Sequence, residues 1–551
     1  MATQQCYPRN QIGANNPVFS QIRTIIETPF YGNNVIKITS LKEAYKLAAA
    51  SPGTIVTDIP VYNPEAIGLD ADAKVLLFND GAVSGRAASA RRIIGEPGVN
   101  TNEYALKISE AVYQTRFKKM YHAEVYVGLD KDFMVKAHLL IPEGQENIMY
   151  SWMLNFQYIN EYYFNMYQES VKLENEGDIY VFSDPTWSHP DHPMGLTCFD
   201  PQHNCAAILG MRYFGEHKKG TLTLAWAIAN RNGYASCHGG QKRYNLPSGR
   251  KFVAGVFGLS GSGKSTITHA RHNDKYDITV LHDDAFIIST TDGSSIALEP
   301  AYFDKTQDYP LTSEDNKYLL TLQNNGATLD ENGKVVVVTE DIRNGNGRAV
   351  KSKLWSTNRI DKFDEPVNAI FWLMKDPTLP PVLKIKGAEL ASVMGATLAT
   401  KRTTAERLAP GVDPNALVVE PYANPFRTYP LADDYNKFKA LFQERNVDCY
   451  ILNTGSFMDK KVPPSVTLGV LEAIVEGTAE FKPWGNFSDI EIYEVEGFIP
   501  DLNDAEYLDQ LKKRMEDRIK FVESRETEKG GFDKLPQEAL DALKKVISEL
   551  Q

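Results

Sequence analysis

The sequence is poor in cysteine, and it lacks long apolar runs and any excess of positive charge. Its five cysteines, spread over 551 residues, show no Cys-x-x-Cys spacing, which argues against a disulfide framework and a cysteine zinc site. No stretch of about 18 apolar residues is present to cross a membrane, and no basic segment followed by an apolar one marks a secretory leader. The net charge of −12 argues against general nucleic-acid binding. We expect a cytoplasmic protein that binds neither nucleic acid nor membrane.

The rest of the composition is typical of a folded globular protein. Apolar residues make up 42% of the chain and aromatic residues 11%, as in well-packed domains. Short apolar runs separated by turn residues predict strands at 74–78, 278–281, 335–339, 369–374 and 450–452. Their spacing favours a mixed α/β fold over strict strand–helix–strand alternation. The polar stretch from Gly239 to Gly249 is a candidate domain boundary.

Helical periodicity is clear near the middle of the first half and at the end of the chain. Residues 102 to about 121 place apolar side chains near one face, namely Tyr104, Ile108, Val112 and Phe117. Asn503 can cap a helix with an apolar stripe, and a second such helix begins at Pro536. We expect both C-terminal stripes to pack on the body of the protein, with a partner surface as the alternative.

Residues 258–265 read Gly-Leu-Ser-Gly-Ser-Gly-Lys-Ser, an intact G-x-x-x-x-G-K-[ST] phosphate-binding loop. The apolar run 251–257 before it suits a buried strand, and Ile267 and the residues after it can open a helix. Backbone N–H groups then turn toward phosphate oxygens, Lys264 reaches the terminal phosphates, and the Ser265 hydroxyl binds Mg²⁺. The motif predicts a nucleoside triphosphate held by Gly258, Leu259, Ser260, Gly261, Ser262, Gly263, Lys264, Ser265 and Thr266.

Other polar residues before and after this loop are candidates for the same site. Asp283 and Asp284 follow the predicted strand 278–281, which is where nucleotide enzymes hold Mg²⁺ and its waters. Upstream, the pair Lys218-Lys219 and His238 are ordinary in isolation, since lysine pairs are usually solvated and single histidines are usually satisfied inside the fold.

The order of these residues resembles the ATP-dependent phosphoenolpyruvate carboxykinases. Residues 213–220 read Tyr-Phe-Gly-Glu-His-Lys-Lys-Gly, and Ser236-Cys-His238, the phosphate loop and the Asp-Asp pair follow. The close similarity covers about residues 205–310. It implies a mixed α/β (α+β), two-domain carboxykinase-like fold with a P-loop mononucleotide-binding domain. The implied parts are a substrate-binding domain at 1–240, a nucleotide-binding domain at 241–500 and a helical extension at 501–551.

The resemblance implies a second divalent ion, usually Mn²⁺, beside the Mg²⁺ that accompanies ATP. Lys219, His238 and Asp284 would be its protein ligands, with Ser265 and Asp283 as the further metal-binding residues. A lysine ligates a metal only when it is neutral, so burial and the metal's charge must lower its pKa, and Lys218 would add to that effect. Two nitrogen ligands and one oxygen suit Mn²⁺ and leave positions open for water or substrate.

The same resemblance assigns the substrate contacts. Arg86 would hold the substrate carboxylate or CO₂, a role that suits its planar fork, and Tyr213 would contact the substrate carboxylate. Arg348 would reach between the substrate and the transferred phosphoryl group, with Arg343 as an alternative. The implied reaction converts oxaloacetate and ATP reversibly into phosphoenolpyruvate, CO₂ and ADP, with catalytic roles also for Lys218, Lys219 and Lys264.

The rim of the nucleotide site departs from the family's usual pattern. Glu299, Lys461 and Thr467 would contact ATP, but Lys461 stands where an arginine is usual, which removes a stacking fork. The Asp-Asp pair continues as Ala285-Phe-Ile-Ile288 instead of Glu-His-Gly-Trp. Residues at about 385–405 take the place of the family's mobile lid, and their small side chains suit a cover that excludes water.

Two other functions stay open at this point. One is a P-loop phosphotransferase that acts on a different carboxylate or a protein hydroxyl, and the other is a non-catalytic nucleotide-binding regulator. Retention of Arg86, Tyr213 and the set Lys219, His238 and Asp284 favours the decarboxylating kinase, because a generic kinase needs no metal-binding lysine. Nucleotide preference and oligomeric state are left open.

Overall fold

The computed structural model describes residues 19–82, 84–259, 261–308, 313–340, 345–401 and 417–550. The described chain divides into two compact units. The first unit takes in the described residues up to 228 together with those in 298–357. The second takes in 229–297 and the described residues of 358–403 and 413–551. Across these ranges, every helix is too short or too polar to span a membrane.

The helices of the described chain are short to medium in length. They are α1 (Gln21–Glu27), α2 (Leu41–Ala50), α3 (Thr101–Thr115), α4 (Glu146–Asn155), α5 (Glu161–Glu169), α6 (Phe214–Arg231), α7 (Lys264–His269), α8 (Ala388–Ala396), α9 (Leu431–Glu444), α10 (Pro464–Glu476), α11 (Ala505–Ser524) and α12 (Gln537–Glu549).

Strands alternate irregularly with these helices, so the predicted mixed α/β fold is confirmed. In the first half of the chain they are β1 (Val35–Ile38), β2 (Thr54–Pro60), β3 (Lys74–Phe78), β4 (Arg91–Ile93), β5 (Met120–Asp130), β6 (Phe133–Pro142), β7 (Gln157–Tyr158), β8 (Ile179–Asp184), β9 (Leu196–Asp200), β10 (Cys205–Leu209), β11 (Tyr234–His238), β12 (Gly240–Asn245), β13 (Lys251–Phe257) and β14 (Asp277–His282). In the second half they are β15 (Ala285–Ser289), β16 (Ser295–Ala297), β17 (Tyr302–Lys305), β18 (Leu319–Gln323), β19 (Gly326–Leu329), β20 (Val335–Val338), β21 (Arg348–Lys351), β22 (Lys362–Phe363), β23 (Ala369–Met374), β24 (Val382–Ile385), β25 (Ala399–Lys401), β26 (Leu417–Val419), β27 (Asp448–Asn453), β28 (Ser456–Phe457), β29 (Lys460–Lys461), β30 (Lys482–Pro483) and β31 (Ile490–Ile492).

The first unit contains two large sheets. One has the order β1-β5-β6-β8-β10-β9-β4, and α1 and α3 help to bury one of its faces. The other has the order β17-β21-β18-β3-β2. Here β18 runs parallel to β3, with Thr321 opposite Leu76. This pairing joins residues 298–357 to the N-terminal part of the chain, whereas a single division at residue 240 would separate them.

The second unit is built on a sheet with the order β14-β12-β13-β23-β27-β24-β31-β30. The three central strands β13, β23 and β27 are parallel, and α10 contributes Val470, Leu471 and Ile474 to the core on one side. A smaller sheet has the order β11-β15-β16-β22. The candidate boundary at 239–249 contains β12, which lies inside the large sheet between β13 and β14. On this strand Lys242 is buried, and its Nζ atom donates to the carbonyls of Ile267 and Ala270.

Helix ends differ from the predicted ones where long-range pairing decides them. The helix predicted for 102 to about 121 ends at Thr115, because Met120 already pairs with Val35 as the first residue of β5. Phe117, placed on its apolar face, is 86% exposed. Near the C-terminus, Asp504 rather than Asn503 caps α11, and α12 follows Pro536 as predicted.

The two C-terminal helices pack on the second unit. The Arg518 guanidinium on α11 lies 3.0 Å from the Asp376 carboxylate, and both side chains are almost fully buried. The Tyr507 hydroxyl donates a hydrogen bond to the Thr378 carbonyl at 2.9 Å. The apolar stripes of these helices are buried as well, with Leu511 and Met515 on α11 and Leu540 and Leu543 on α12.

Candidate active site

The phosphate-binding loop starts where a buried strand ends. β13 is buried from Phe252 to Phe257, and at Gly258 an added Cβ would lie 2.3 Å from the Ser262 hydroxyl oxygen. Gly263 caps α7 with a φ of 92°, in the left-handed region that favours glycine. This cap starts α7 at Lys264, earlier than the predicted start at Ile267. Ser260 lies outside the described residues.

The loop's side chains divide into buried and exposed ones. Ser262 and Lys264 are buried, whereas the Ser265 and Thr266 side chains are exposed at the start of α7. Exposure at this end suits groups that must reach a ligand and its metal from solvent. Of the other predicted contacts, Leu259 is half-buried and Gly261 is exposed.

A lysine from the neighbouring strand contacts the loop. Because β13 and β23 are parallel, their carboxyl ends lie at the same edge of the sheet. Lys375 follows β23 directly, and its Nζ atom donates a hydrogen bond to the Gly261 carbonyl at 2.8 Å. Lys375 was not predicted as a site residue. The available signal was a lysine directly after the buried run 369–374.

Another missed lysine supports the helix after the loop. Lys242 on β12 is fully buried, and its Nζ atom donates to the carbonyls of Ile267 at 2.6 Å and Ala270 at 2.9 Å. These carbonyls lie at the C-terminal end of α7, where a cation is favoured. Burial lowers the pKa of Lys242 to about 7. Lys242 therefore fixes the far end of the short helix that carries Lys264.

His238 and Lys264 meet at one carboxylate. β11 pairs with β15 so that His238 lies opposite Ala285, which brings Asp284 next to the histidine ring. The His238 Nε2 atom lies 3.0 Å from the Asp284 Oδ1 atom. The Lys264 Nζ atom lies 3.7 Å from the same oxygen. The structure thus brings three predicted site residues together within the second unit.

The backbone orients the His238 ring. Its Nδ1–H donates to the Ala423 carbonyl, and the Phe426 ring packs edge-on against it at 5.3 Å between ring centroids. Ala423 and the preceding Tyr422 both have a φ of 53°, which is uncommon for residues other than glycine. Such a carbonyl partner is typical of metal-binding histidines, because it fixes the tautomer and leaves Nε2 facing the metal.

Asp283 lies next to the phosphate helix. Its Oδ2 atom is 3.4 Å from the Nε2 atom of His269, the last residue of α7. Burial alone would raise the pKa of Asp283, but His269, His282 and Lys264 outweigh it and lower the pKa well below the usual range. Asp283 is therefore a carboxylate at neutral pH. The role of His269 was not predicted.

Three further predicted residues surround one ring in the first unit. The Phe303 ring centroid lies 5.4 Å from the Lys218 Nζ atom, 6.1 Å from the Tyr213 ring centroid and 6.0 Å from the Arg348 guanidinium carbon. The Arg348 Nε–H also donates to the Asn346 side-chain oxygen at 2.8 Å. Phe303 was not predicted as a site residue, and it joins these side chains into one cluster.

A steric constraint explains why the Tyr-x-Gly motif has glycine at position 215. A Cβ at Gly215 would lie 2.4 Å from the Tyr213 ring, closer than van der Waals contact allows. The Tyr213 side chain therefore folds over Gly215, and any larger residue there would displace it.

Glu299 has a different environment from the predicted one. Its Oε1 atom lies 3.0 Å from the Lys218 Nζ atom, with both side chains fully buried. The Asn155 side-chain amide donates to its Oε2 atom at 2.5 Å. Glu299 is the counter-ion of Lys218, and this enclosure argues against the predicted nucleotide contact.

Lys219 and Arg86 are the remaining predicted residues of the first unit. Lys219 is half-buried, and its Nζ atom lies 5.6 Å from the Trp226 ring centroid on the same helix. Arg86 is half-buried, and its charge contributes to lowering the pKa of the buried Arg91, for which burial is the main cause. Arg91 in turn forms an ion pair with Glu216 at 2.9 Å.

The predicted residues at the rim of the nucleotide site differ in their exposure to solvent. Lys461 is exposed on β29, whereas Thr467 is buried on α10. Within the predicted lid at 385–405, the residues of α8 from Leu390 to Ala396 are buried. Gly395 lies so close to Trp372 that a Cβ would be 2.7 Å from its ring. The rest of that segment beyond 401, and Arg343, lie outside the described residues.

Comparison with known proteins agrees with the resemblance found in the sequence. The profile of the phosphoenolpyruvate carboxykinase family (ATP type) matches residues 62–497. Phosphoenolpyruvate carboxykinase (ATP) of Aeropyrum pernix is 27% identical over 297 residues, which span 51% of this chain and 58% of that protein. The enzymes of the same name from two Bradyrhizobium strains are each 20% identical over 405 residues, which span 70% of this chain and 71% of theirs.

Proposed function

The chain belongs to the phosphoenolpyruvate carboxykinase family, and from that premise we propose that it converts oxaloacetate and ATP reversibly into phosphoenolpyruvate, CO₂ and ADP. The observation that carries this proposal is the Asp284 carboxylate, which lies 3.0 Å from His238 and 3.7 Å from Lys264. A loop that only bound a nucleotide would need Lys264 but not a histidine oriented on the neighbouring carboxylate.

The residues around Asp284 fit a divalent ion. The Ala423 carbonyl accepts a hydrogen bond from the Nδ1–H of His238. The Nε2 atom of the ring therefore faces Asp284 and can ligate a metal. We propose Mn²⁺ at His238, Asp284 and Lys219, and Mg²⁺ with the nucleotide at Ser265 and Asp283. When bound, the Mn²⁺ ion supplies Lewis-acid stabilisation of negative charge on the substrate oxygen.

The phosphate loop positions the phosphoryl group that is transferred. Lys264 and the backbone N–H groups of the loop neutralise charge on the β- and γ-phosphates, and positioning accounts for most of the rate in such transfers. Lys375 and Lys242 hold the loop and its helix through backbone carbonyls. We propose that both are positioning residues that make no contact with the reacting atoms.

The residues of the first unit hold the substrate in this proposal. Arg86 binds a carboxylate or CO₂ through its planar fork, while Tyr213, Lys218 and Arg348 present polar groups around the Phe303 ring. The bond from the oxaloacetate methylene carbon to its carboxylate breaks, and its electrons form an enolate. The enolate oxygen then bonds to the γ-phosphorus of ATP as ADP leaves.

We place this reaction in the cytoplasm. The described cysteines, Cys198, Cys205, Cys237 and Cys449, are all free and buried, and free thiols suit a reducing compartment. Burial raises the pKa of each of these thiols above the usual range. They are therefore unreactive at neutral pH.

The experiment that tests this function follows all three products. Purified protein is incubated with oxaloacetate, Mg²⁺, Mn²⁺ and ATP, with GTP or pyrophosphate as other phosphoryl donors and pyruvate or malate in place of oxaloacetate. We expect CO₂, phosphoenolpyruvate and ADP in equal amounts from oxaloacetate and ATP. Phosphorylation of another carboxylate without CO₂ release would favour the alternative phosphotransferase, and no turnover with any donor would overturn the proposal.

A further inference from the structure

Three side chains that could ligate a metal converge in the first unit, on strands that carry none of the residues assigned to catalysis. His122 and Glu124 alternate along β5 and so point to the same face of its sheet. The register of β5 and β6 places His138 directly opposite Glu124, on that same face. We propose that His122, Glu124 and His138 bind one Zn²⁺ ion.

The distances between the ligand atoms fit this ion. The His122 Nε2 atom lies 2.9 Å from the His138 Nδ1 atom, and the Glu124 Oε1 atom lies 3.8 Å from the former and 3.5 Å from the latter. A tetrahedral zinc with bonds of about 2.0–2.1 Å holds its ligand atoms about 3.3–3.4 Å apart. Shifts of a few tenths of an ångström would therefore form the site.

The neighbours of His138 already hold it as a ligand. Its Nε2 atom lies 2.9 Å from the Asp178 carboxylate, which fixes the proton on Nε2 and leaves the lone pair of Nδ1 facing His122 and Glu124. The Tyr180 ring stacks on the imidazole at 4.4 Å between centroids. This carboxylate–histidine–metal arrangement is common in zinc sites, where it orients the ring and strengthens the ligand.

Zinc binding would move one proton within His122 and displace one cation from Glu124. The Nε2–H of His122 donates to His138 in the metal-free protein, so on binding His122 carries its proton on Nδ1 instead, with no net release of protons. The Lys37 Nζ atom lies 2.7 Å from the Glu124 Oε1 atom, but its side chain is 55% exposed and can turn into solvent. Lys37 thus competes with the metal for Glu124.

The donor set selects the class of metal. Two imidazoles and one carboxylate are a frequent set for zinc with a fourth position left for water, whereas Mg²⁺ and Ca²⁺ require mostly oxygen ligands. The His122 and Glu124 side chains are 12% and 14% exposed, so the site is reachable from solvent. Because the ligands come from both β5 and β6, a bound ion would join the two longest strands of this sheet.

The test uses the full-length chain, freed of metal and titrated with ZnCl₂ by calorimetry. Zinc can also enter the candidate active site, so the parent protein carries His238→Ala. We expect one equivalent to bind to this parent and to be lost in His138→Ala and in the isosteric Glu124→Gln. The control His189→Ala removes a partly exposed histidine and should retain the equivalent.

Two further variants test the proposed surroundings of the ion. Asp178→Asn should weaken zinc binding by about 10–100-fold, and Lys37→Met should tighten it by removing the competing cation. Co²⁺ bound to the parent should show the intense visible absorption of a tetrahedral site. Unchanged zinc affinity in folded His138→Ala and Glu124→Gln, or a weak octahedral Co²⁺ spectrum, would overturn the proposal even if the carboxykinase activity is confirmed.

Discussion

The Nε2 atom of His238 lies 3.0 Å from the Oδ1 atom of Asp284. The two residues are brought together by the antiparallel pairing of β11 with β15, which sets His238 opposite Ala285. Lys264 of the phosphate loop lies 3.7 Å from the same carboxylate oxygen. A candidate metal ligand and the lysine predicted to bind phosphate therefore share one carboxylate, and single mutations can separate their roles.

His238→Ala should abolish metal-dependent turnover while the protein still binds ATP. Loss of the imidazole removes a metal ligand, and we expect kcat to fall by about 100-fold or more. The Kd for ATP, measured by calorimetry, should change by less than about 3-fold, since Lys264 and the loop backbone are intact. Lys264→Ala is the matched variant and should lose ATP affinity instead. If His238→Ala loses ATP binding and keeps Mn²⁺ affinity, the assignment of His238 is wrong.

Lys375→Ala should weaken ATP binding. Its Nζ atom donates to the Gly261 carbonyl, and a hydrogen bond from a charged donor contributes about 1.5 kcal/mol or more to the conformation that it holds. We expect the Kd for ATP to rise by about 10-fold. Lys386→Ala, which removes an exposed lysine paired with Glu491 in the same unit, should leave the Kd unchanged. Tighter ATP binding in Lys375→Ala would show that this contact opposes the nucleotide-bound loop.

Arg518→Met should destabilise the protein strongly. Arg518 is 1% exposed and pairs with the fully buried Asp376 at 3.0 Å, and breaking such a pair costs about 3–5 kcal/mol by leaving an uncompensated charge. Urea denaturation should show this loss, and Lys520→Ala on the exposed side of α11 should change the free energy of unfolding by about 0.5 kcal/mol or less. The double variant Arg518→Met/Asp376→Asn should recover part of the stability lost in Arg518→Met. Equal losses in single and double variants would contradict a direct pairing.

Because of Asp434, the free energy of unfolding should decrease as the pH rises toward neutrality. Burial raises its pKa to about 7, with Arg427, Tyr429 and Lys437 opposing the shift. Between the unfolded pKa near 4 and the folded value, the folded state binds the extra proton, so stability declines across that window by about 4 kcal/mol at most. Asp434→Asn should remove this decline.

Urea denaturation at pH 5 and pH 8 measures the contribution of Asp434. The difference in unfolding free energy between wild type and Asp434→Asn should shift in favour of the variant at pH 8. A shift in the opposite direction would mean that the neighbouring positive charges, not burial, set the pKa of Asp434.

Local signals in the sequence predicted several buried strands. The runs at 74–78 and 369–374 are strands β3 and β23 with the predicted bounds, because each is a continuous apolar run between turn residues. The loop glycines were predictable for the same reason, since their backbone conformation depends on neighbours a few residues away.

Long-range contacts were not predictable from one sequence. The stretch that contains β12 was predicted as a domain boundary because it is polar. In the structure Lys242 is buried there and donates to carbonyls at the end of α7. Glu299 was assigned to the nucleotide, but its burial against Lys218 depends on two segments that lie far apart in the chain. The resemblance to the carboxykinases was enough to predict His238 and Asp284 as site residues. Lys375 and Phe303 could be found only once the pairing of the strands was known.

The most direct test of the proposed function is ³¹P nuclear magnetic resonance of one reaction mixture with wild-type protein and another with Asp284→Asn. We predict that, with oxaloacetate and wild-type protein, the γ-phosphate signal of ATP declines as the phosphoenolpyruvate signal rises, one for one. The variant should show no such transfer. Two results would contradict the proposal that the site around Asp284 is that of a decarboxylating kinase. One is release of inorganic phosphate without phosphoenolpyruvate, and the other is equal transfer by Asp284→Asn.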